Sequence, residues 1–468
     1  MTTRREFLRQ TGVAILGGFA APSDILAAAS DQTTKPDYTV NIQPCKIEIA
    51  PGVVIETRAY NGQVPGPILR LREGVPVTID VTNAGAEPDI VHWHGLAIDS
   101  LNDGAMEEGS PMIAPGSHLR YTFTPRPSGT RWYHTHTGSG GNLALGTYSG
   151  QFGFLIVEGK SGPTTAGDFD QEVFLAVHHW EPSFVPMAET MRTSSANQPL
   201  TAGSDVGYKY ATVNQHMLGA GEPIRVKPGQ RVLMHLLNAS ATENVELALP
   251  GHKFTVLAMD GNPVPHPTSV QVLSLAVAER VDALVEMNNP GVWVLGSTLA
   301  ASRTMGLGIV IEYAGQNGPP QWHDPVSTPW DYSLFANAAP APTPDETITL
   351  TFRDIGPMHG SKFDTWTINN RSWPDIDPIQ VQVGRRYRLL LRNGSGDQHP
   401  IHLHRHTFEV AQIGHKTMSG LRKDVVNVMP LDTVAVDFVA DNPGDTLWHC
   451  HQQLHMDYGF MQLIKYVG

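Results

Sequence analysis

Residues 447–461 read Leu447-Trp448-His449-Cys450-His451-Gln452-Gln453-Leu454-His455-Met456-Asp457-Tyr458-Gly459-Phe460-Met461. If the His-Cys-His run is extended, successive side chains point to opposite faces of the strand. Cys450 then faces one way, and His449 and His451 face the other. A thiolate on one face suits a redox-active metal with few ligands, and paired imidazoles on the other suit a second, nitrogen-ligated cluster. The backbone joining them is a short covalent path for an electron. Ordinary core filling could also place a Cys beside two His, because a free Cys packs as a small hydrophobe. The rest of the chain has to weigh the two.

Three more histidine groups lie upstream: His92-Trp93-His94-Gly95, Trp132-Tyr133-His134-Thr135-His136 and His399-Pro400-Ile401-His402-Leu403-His404-Arg405-His406. Each His-x-His on a strand presents both rings to one face, and converging imidazoles suit copper, zinc or iron. One such pair is common by chance. Four clusters towards opposite ends of the chain, one with an embedded Cys, favour metal chemistry over core filling. His178-His179 and His216 stand outside the pattern, and structural or surface roles are expected for them.

Between the clusters one module is written three times. Ile68-Leu69-Arg70-Leu71-Arg72-Glu73-Gly74, Ile224-Arg225-Val226-Lys227-Pro228-Gly229 and Ile379-Gln380-Val381-Gln382-Val383-Gly384 each lead into an alternating apolar run ending at Asn83, Asn238 and Asn393. The three glycines are evenly spaced, and each precedes its Asn by the same interval. Period-2 alternation predicts half-buried strands, and two antiparallel sheets packed face to face is the economical fold for such a unit. The expected organisation is residues 36–160, 168–314 and 346–468 as three domains, with a Pro-rich linker over 315–345. The first junction is Gly159-Lys160-Ser161-Gly162-Pro163. The middle module lacks a histidine cluster and is expected to act as a spacer that lets the outer two meet.

Composition agrees with a β-rich chain. The 468 residues include 45 Gly and 36 Pro, and long helical periodicity is scarce. A net charge of −13 gives no support to nucleic-acid binding or to a polybasic membrane surface. No run after the N-terminus is apolar enough to span a membrane. Residues 1–29 read as a targeting segment: Thr3-Arg4-Arg5-Glu6-Phe7-Leu8 with paired arginines, an apolar stretch from Gly12 to Ala21, and Ala27-Ala28-Ala29 before Ser30. This is similar to a twin-arginine signal, which implies export of a folded protein to the periplasm or beyond. Cys45 and Cys450 are the only cysteines. A disulfide would remove the thiolate from the His-rich cluster, so Cys45 is expected as a free or buried structural thiol.

With four clusters and three modules in place, the chain resembles the three-domain multicopper oxidases, the family of laccases, bilirubin oxidases and bacterial cuprous oxidases. The resemblance covers essentially everything after residue 29. It implies an all-β fold of three consecutive cupredoxin-like Greek-key β-sandwich domains. It also implies four copper ions: one type-1, one type-2 and a type-3 pair. By motif, His399, Cys450 and His455 match the type-1 ligands, and His92 and His402 the type-2 ligands. His94, His134, His136, His404, His449 and His451 match the type-3 ligands, while His406 matches a family His that is not a ligand. The implied reaction takes single electrons from a small reducing substrate near His455 or His399. Cys450 passes them through His449 or His451 to dioxygen, which becomes water. Asp103 matches a family position that delivers protons near the type-2 copper, with Glu107 and Glu108 as weaker candidates. A monomer is expected.

Departures from the family pattern carry information too. Some relatives have an acid just after the last type-1 His, where this chain has Met456. The usual His-Leu-His-Gly-His has Arg405 in place of Gly, which is expected to add positive charge beside the coppers. Phe460 occupies the axial position of the type-1 copper, with Met461 facing away. A weaker axial interaction predicts a moderate-to-high potential. The 15 Met are scattered, without the Met-rich insert of dedicated cuprous oxidases. That favours phenols and aromatic amines as substrates, with Cu(I) or Mn(II) oxidation as the alternative. An assembly partner that has lost its ligands fits poorly, because all eleven expected ligands are present; a copper-storage or metal-resistance binding role without turnover fits slightly better, and a nitrite reductase less well still, because it would not need the second histidine set.

Overall fold

The computed structural model describes residues 35–160, 168–186, 204–326, 330–357 and 363–468. The compact body is Asp37–Gly468. The targeting segment over residues 1–29, and Ser161, Gly162 and Pro163 of the first junction, lie outside the described residues.

Three sandwich modules follow one another. In the first, one sheet has the strand order Val53–Tyr60, Tyr38–Ala50, Val77–Asn83, His118–Phe123, and the other has Leu69–Arg72, Phe152–Glu158, Gly129–Thr135, Val91–His92. The second module has a six-stranded sheet centred on Arg231–Asn238 and Arg280–Glu286, opposite a five-stranded sheet. The third packs a sheet around Arg386–Asn393 and Thr433–Val439 against one with the order Ile379–Val381, Met461–Tyr466, Thr446–Cys450, His399–Leu403, Val425–Val428.

The repeat in the sequence has a physical cause. Each of the strands Leu69–Arg72, Ile224–Val226 and Ile379–Val381 pairs in parallel with the last strand of its own module. The glycine after it turns the chain at φ +75°, +79° and +83° in the three copies, a left-handed conformation costly for a residue with a Cβ. The repeated Asn does the same work three times. Its side-chain amide donates to the carbonyls of Glu87 and Ile113, of Glu243 and Leu275, and of Asp397 and Val428. Its side-chain oxygen accepts from the backbone amide two residues on, at Gly85, Ser240 and Ser395. A buried loop needs its backbone groups paired, and one Asn at this corner supplies the partners.

The cores agree with the alternation. Val77, Ile79 and Val81 point inwards from Val77–Asn83, and Leu389 and Leu391 from Arg386–Asn393, all nearly or fully buried. Among the described residues no helix is long and apolar enough to cross a membrane.

Candidate metal centres

Thr446–Cys450 is a fully buried strand, paired on one side with His399–Leu403 and on the other with Met461–Tyr466. Its register places Cys450 opposite Ile401 and His449 opposite His402. The alternation read from the sequence therefore holds, with the sulfur on one face and the imidazoles on the other. Both cysteines are free. Cys45 is half-buried, with its Sγ 3.2 Å from the Gly62 carbonyl and its pKa raised by burial, as a structural thiol would be.

On the sulfur face three ligand atoms form a small triangle. Cys450 Sγ lies 3.7 Å from His399 Nδ1 and 3.4 Å from His455 Nδ1, and the two nitrogens are 3.2 Å apart. Ser395 Oγ, 2.8 Å from His399 Nε2, orients that ring, and Trp366 packs on His455 at 4.1 Å between centroids. The short helix Gln453–Asp457 places His455. Phe460 is fully buried with its ring 4.8 Å from that of His399, while Met461 packs away from the sulfur with Ala105, Leu447 and Met456. Neither His ring is open to solvent: His399 is 0% exposed and His455 5%, so His455 is the nearer to the surface. Burial pushes the Cys450 thiol well up and His455 down to about 3. A bound cation is what would hold the sulfur as a thiolate there.

On the imidazole face eight rings from the first and third modules converge. His92 Nε2 is 3.4 Å from His402 Nε2, across 310 residues of chain. His404 Nε2 is 3.1 Å from His449 Nε2, and His136 joins them as a group of possible metal ligands. His94 Nδ1 is 3.4 Å from His134 Nε2, and the His451 ring lies 5.2 Å and 5.1 Å from those two. Backbone carbonyls fix the tautomers. The Nδ1–H groups of His92, His134, His402 and His449 donate to Asp103, Thr135, Asp424 and Cys450, so each Nε2 lone pair points into the cluster. Both nitrogens of His136 and of His451 are buried without a hydrogen-bond partner. Lone pairs aimed at one another, with four orphaned nitrogens beside them, are what bound cations would satisfy. Burial holds His94, His134, His136, His402, His404 and His451 well below the ordinary imidazole range, in the neutral ligand form.

The acids at this face are local. Asp99 caps the short helix Ser100–Asp103, which ends at Gly104 with φ +87°. A Cβ on Gly104 would lie 1.8 Å from the Val91 carbonyl, so only glycine lets the helix sit against the strand carrying His92. Asp103 Oδ2 thereby comes within 2.9 Å of His404 Nδ1 and 3.3 Å of His92 Nδ1. Glu108 comes closer than the sequence suggested, with Oε1 3.3 Å from His404 Nδ1 and accepting from Leu447 N. Burial and neighbouring Asp103 push its carboxyl well up. Beside His134, His136, His449 and His451 is a cavity of about 10 Å³, room for about one water, closed by Met456, Gln453, Thr135 and Thr147.

Two expectations need correcting. The middle module is more than a spacer: its Arg280 binds the third module's Asp424, whose Oδ1 lies 3.1 Å from His94 Nε2 and whose backbone oxygen holds His402. Lys423-Asp424, charged residues ahead of the apolar Val425-Val426, was the signal available in the sequence, since buried charges are rare unless paired. Arg405 does not turn its side chain towards the rings; its guanidinium bonds Thr446 and four backbone carbonyls. His178 and His179 are buried structural histidines bonded to Ala239 O and Ser240 Oγ, and His216 is exposed.

Comparison with known proteins agrees with this geometry. Three family models described as multicopper oxidase match residues 41–162, 188–310 and 343–466. The chain is 30% identical to the multicopper oxidase MmcO of Mycobacterium tuberculosis, over 96% of this chain and 91% of that protein. It is 26% identical to Laccase-1 of Botryotinia fuckeliana, over 92% and 82%. The structure of a multi-copper oxidase from Pseudomonas thermotolerans superposes with a TM-score of 0.70 at 25% identity, covering 92% of this chain and 98% of that one. The chain belongs to the laccase-like, three-domain multicopper oxidase family and is a copper-dependent oxidoreductase that uses dioxygen.

Proposed function

We propose that the enzyme binds four coppers and oxidises phenols or aromatic amines one electron at a time, reducing dioxygen to two waters. The observation that carries this reading is the back-to-back arrangement along residues 449–451, with Cys450 beside His399 and His455 and with His449 and His451 in the histidine cluster. His399, Cys450 and His455 would hold the type-1 ion. His92 and His402 would hold the type-2 ion, and His94, His134, His136, His404, His449 and His451 the type-3 pair. Bound copper supplies reversible one-electron chemistry at the sulfur site and multi-electron reduction of dioxygen at the histidine cluster.

The chain's own groups do the rest. Cys450 is joined by peptide bonds to both His449 and His451, so electron transfer between the two faces has a covalent route. Backbone carbonyls, Asp103 and Asp424 hold six of the eight rings in place, which reduces reorganisation on each turnover. Asp103, bonded to His404, is positioned to pass protons inwards. Half-buried aromatic rings that continue from Tyr458, whose amide donates to the His455 carbonyl, support an aromatic substrate: Phe363 packs at a tilt on Tyr458 at 4.5 Å and on Phe184 at 4.6 Å between centroids.

A second reading, oxidation of a metal cation such as Cu(I) or Mn(II), is favoured by one observation. Asp397, two residues before His399, is raised to about 6 by burial and by the charges of Asp205, Asp354 and Asp364, a carboxylate grouping suited to a cation. Copper analysis with visible absorption tests the class: an intense blue band with four coppers per chain is expected. Oxygen consumption with a substituted phenol against Cu(I) tests the substrate, and faster turnover of Cu(I) would overturn the aromatic reading. The twin-arginine pattern supports export to the periplasm or outside the cell. A monomer with domains over 36–160, 168–314 and 346–468 completes the proposal. Fractionation of the expressing cell and light scattering test these points.

A further inference from the structure

Arg405 stands at the turn after strand His399–Leu403, directly after the ring of His404. Its φ is +57°, a conformation that glycine adopts without strain and arginine does not. The side chain is 1% exposed. A strained, buried cation at this position calls for a physical reason, and the guanidinium's surroundings supply one.

All five N–H donors of a guanidinium can be used at once only by a cage of acceptors, and here they are. Nε donates to the Ile98 carbonyl at 2.9 Å, and Nη1 to the Asp445 carbonyl at 2.8 Å and Thr446 Oγ1 at 2.7 Å. Nη2 donates to the carbonyls of Asn442 at 3.2 Å and Pro443 at 2.9 Å. Asn442 Nδ2 closes the cage, donating to Ile98 O at 2.9 Å and Arg405 O at 3.1 Å. Every direct acceptor is neutral, four carbonyls and a hydroxyl, and the buried Glu108 carboxyl lies near enough to feel the charge of Arg405.

These acceptors belong to two modules. Ile98 follows His92-Trp93-His94 in the first, four residues after a cluster ring. Residues 442–446 lead directly into Thr446–Cys450 of the third, the strand that carries His449 and Cys450. Separating the modules would strip Ile98 O from both Arg405 and Asn442 and leave a buried cation short of an acceptor, which is costly. The cage thus favours the docked arrangement in which His404 lies stacked on His92 at 4.0 Å.

We propose that Arg405 is a positioning residue that clamps the first and third modules together and pre-assembles the histidine cluster before metal enters. This rests on the copper-oxidase reading, and it predicts behaviour in the metal-free protein that a role in charge alone would not. Lysine keeps the charge but cannot reach five acceptors; glycine keeps the backbone turn without strain and removes the clamp.

The test compares wild type, Arg405→Gly and Arg405→Lys as full-length copper-loaded chains. Copper retention is measured against a chelator, with the blue band and the type-2 electron paramagnetic resonance signal followed separately. Both variants are expected to lose cluster copper about tenfold faster or more while the blue band persists. Retention equal to wild type in either variant overturns the clamp. Should the variants fail to fold, hydrogen exchange on copper-free wild type decides: protection of the Leu447 amide, which donates across the module boundary to Glu108 Oε1, supports pre-assembly, and its rapid exchange overturns it. If wild type itself binds no copper, the oxidase reading fails instead.

Discussion

Arg280 of the middle module donates to both carboxylate oxygens of Asp424 in the third, at 2.7 and 2.6 Å, with neither side chain exposed. Arg131 of the first module reaches the same carboxylate at 3.3 Å, and Asp260 and Lys423 extend the network. Three modules therefore meet at one buried carboxylate, whose Oδ1 also lies 3.1 Å from His94 Nε2. Bidentate pairing of this kind fixes both direction and distance.

Arg280→Met should destabilise the protein by about 3–5 kcal/mol, because it leaves Asp424 short of its main buried counter-charge. Thermal unfolding would show the loss as a lowered midpoint, and a midpoint within a degree or so of wild type would mean that Arg131 alone suffices. Copper retention in the histidine cluster should fall with it, since Asp424 orients both His94 and His402.

Cys450→Ser should abolish the blue absorption and reduce oxygen consumption with any one-electron donor to background. The eight-histidine cluster does not use the sulfur, so copper should remain there. Metal analysis beside visible spectroscopy separates the two effects. Retained turnover would show that electrons enter by a route avoiding Cys450.

Phe460→Met places a thioether where a phenyl ring now packs 4.8 Å from the His399 ring. A fourth, axial ligand interaction should lower the potential of the sulfur site. Redox titration of the blue band reads this directly, and an unchanged or higher potential counts against Phe460 as the axial residue.

His235, which is not among the metal ligands, offers a pH test. It sits where the first two modules meet, with Nδ1 2.7 Å from Asp282 and Nε2 3.1 Å from Glu172, and Thr130 of the first module bonds both His235 and Asp282. Burial opposes its charge, but the two carboxylates outweigh burial and raise the group to about 9. A raised folded-state pKa stabilises fully below the unfolded value of about 6.5 and is lost as pH climbs through about 9. The contribution is on the order of 3 kcal/mol. The unfolding midpoint should fall between pH 6.5 and 9.5 in wild type and be flatter in His235→Gln. Parallel curves would remove His235 as the cause.

Much of this protein could be read from the order of its residues. Alternation along a strand is a local property, so Leu447–Met461 showed that a sulfur and two imidazoles face opposite ways. The Gly and Asn of each repeat marked one corner three times, because the same backbone turn and buried loop recur and need the same chemistry. What the order of residues could not show was which distant groups would meet. His92 and His402 face each other, Asp424 holds a ring from one module with an arginine from another, and Arg405 turns from the cluster into a cage of carbonyls. These depend on how three sandwiches dock, and docking is set by the summed packing of whole sheet faces, which no short stretch of sequence contains.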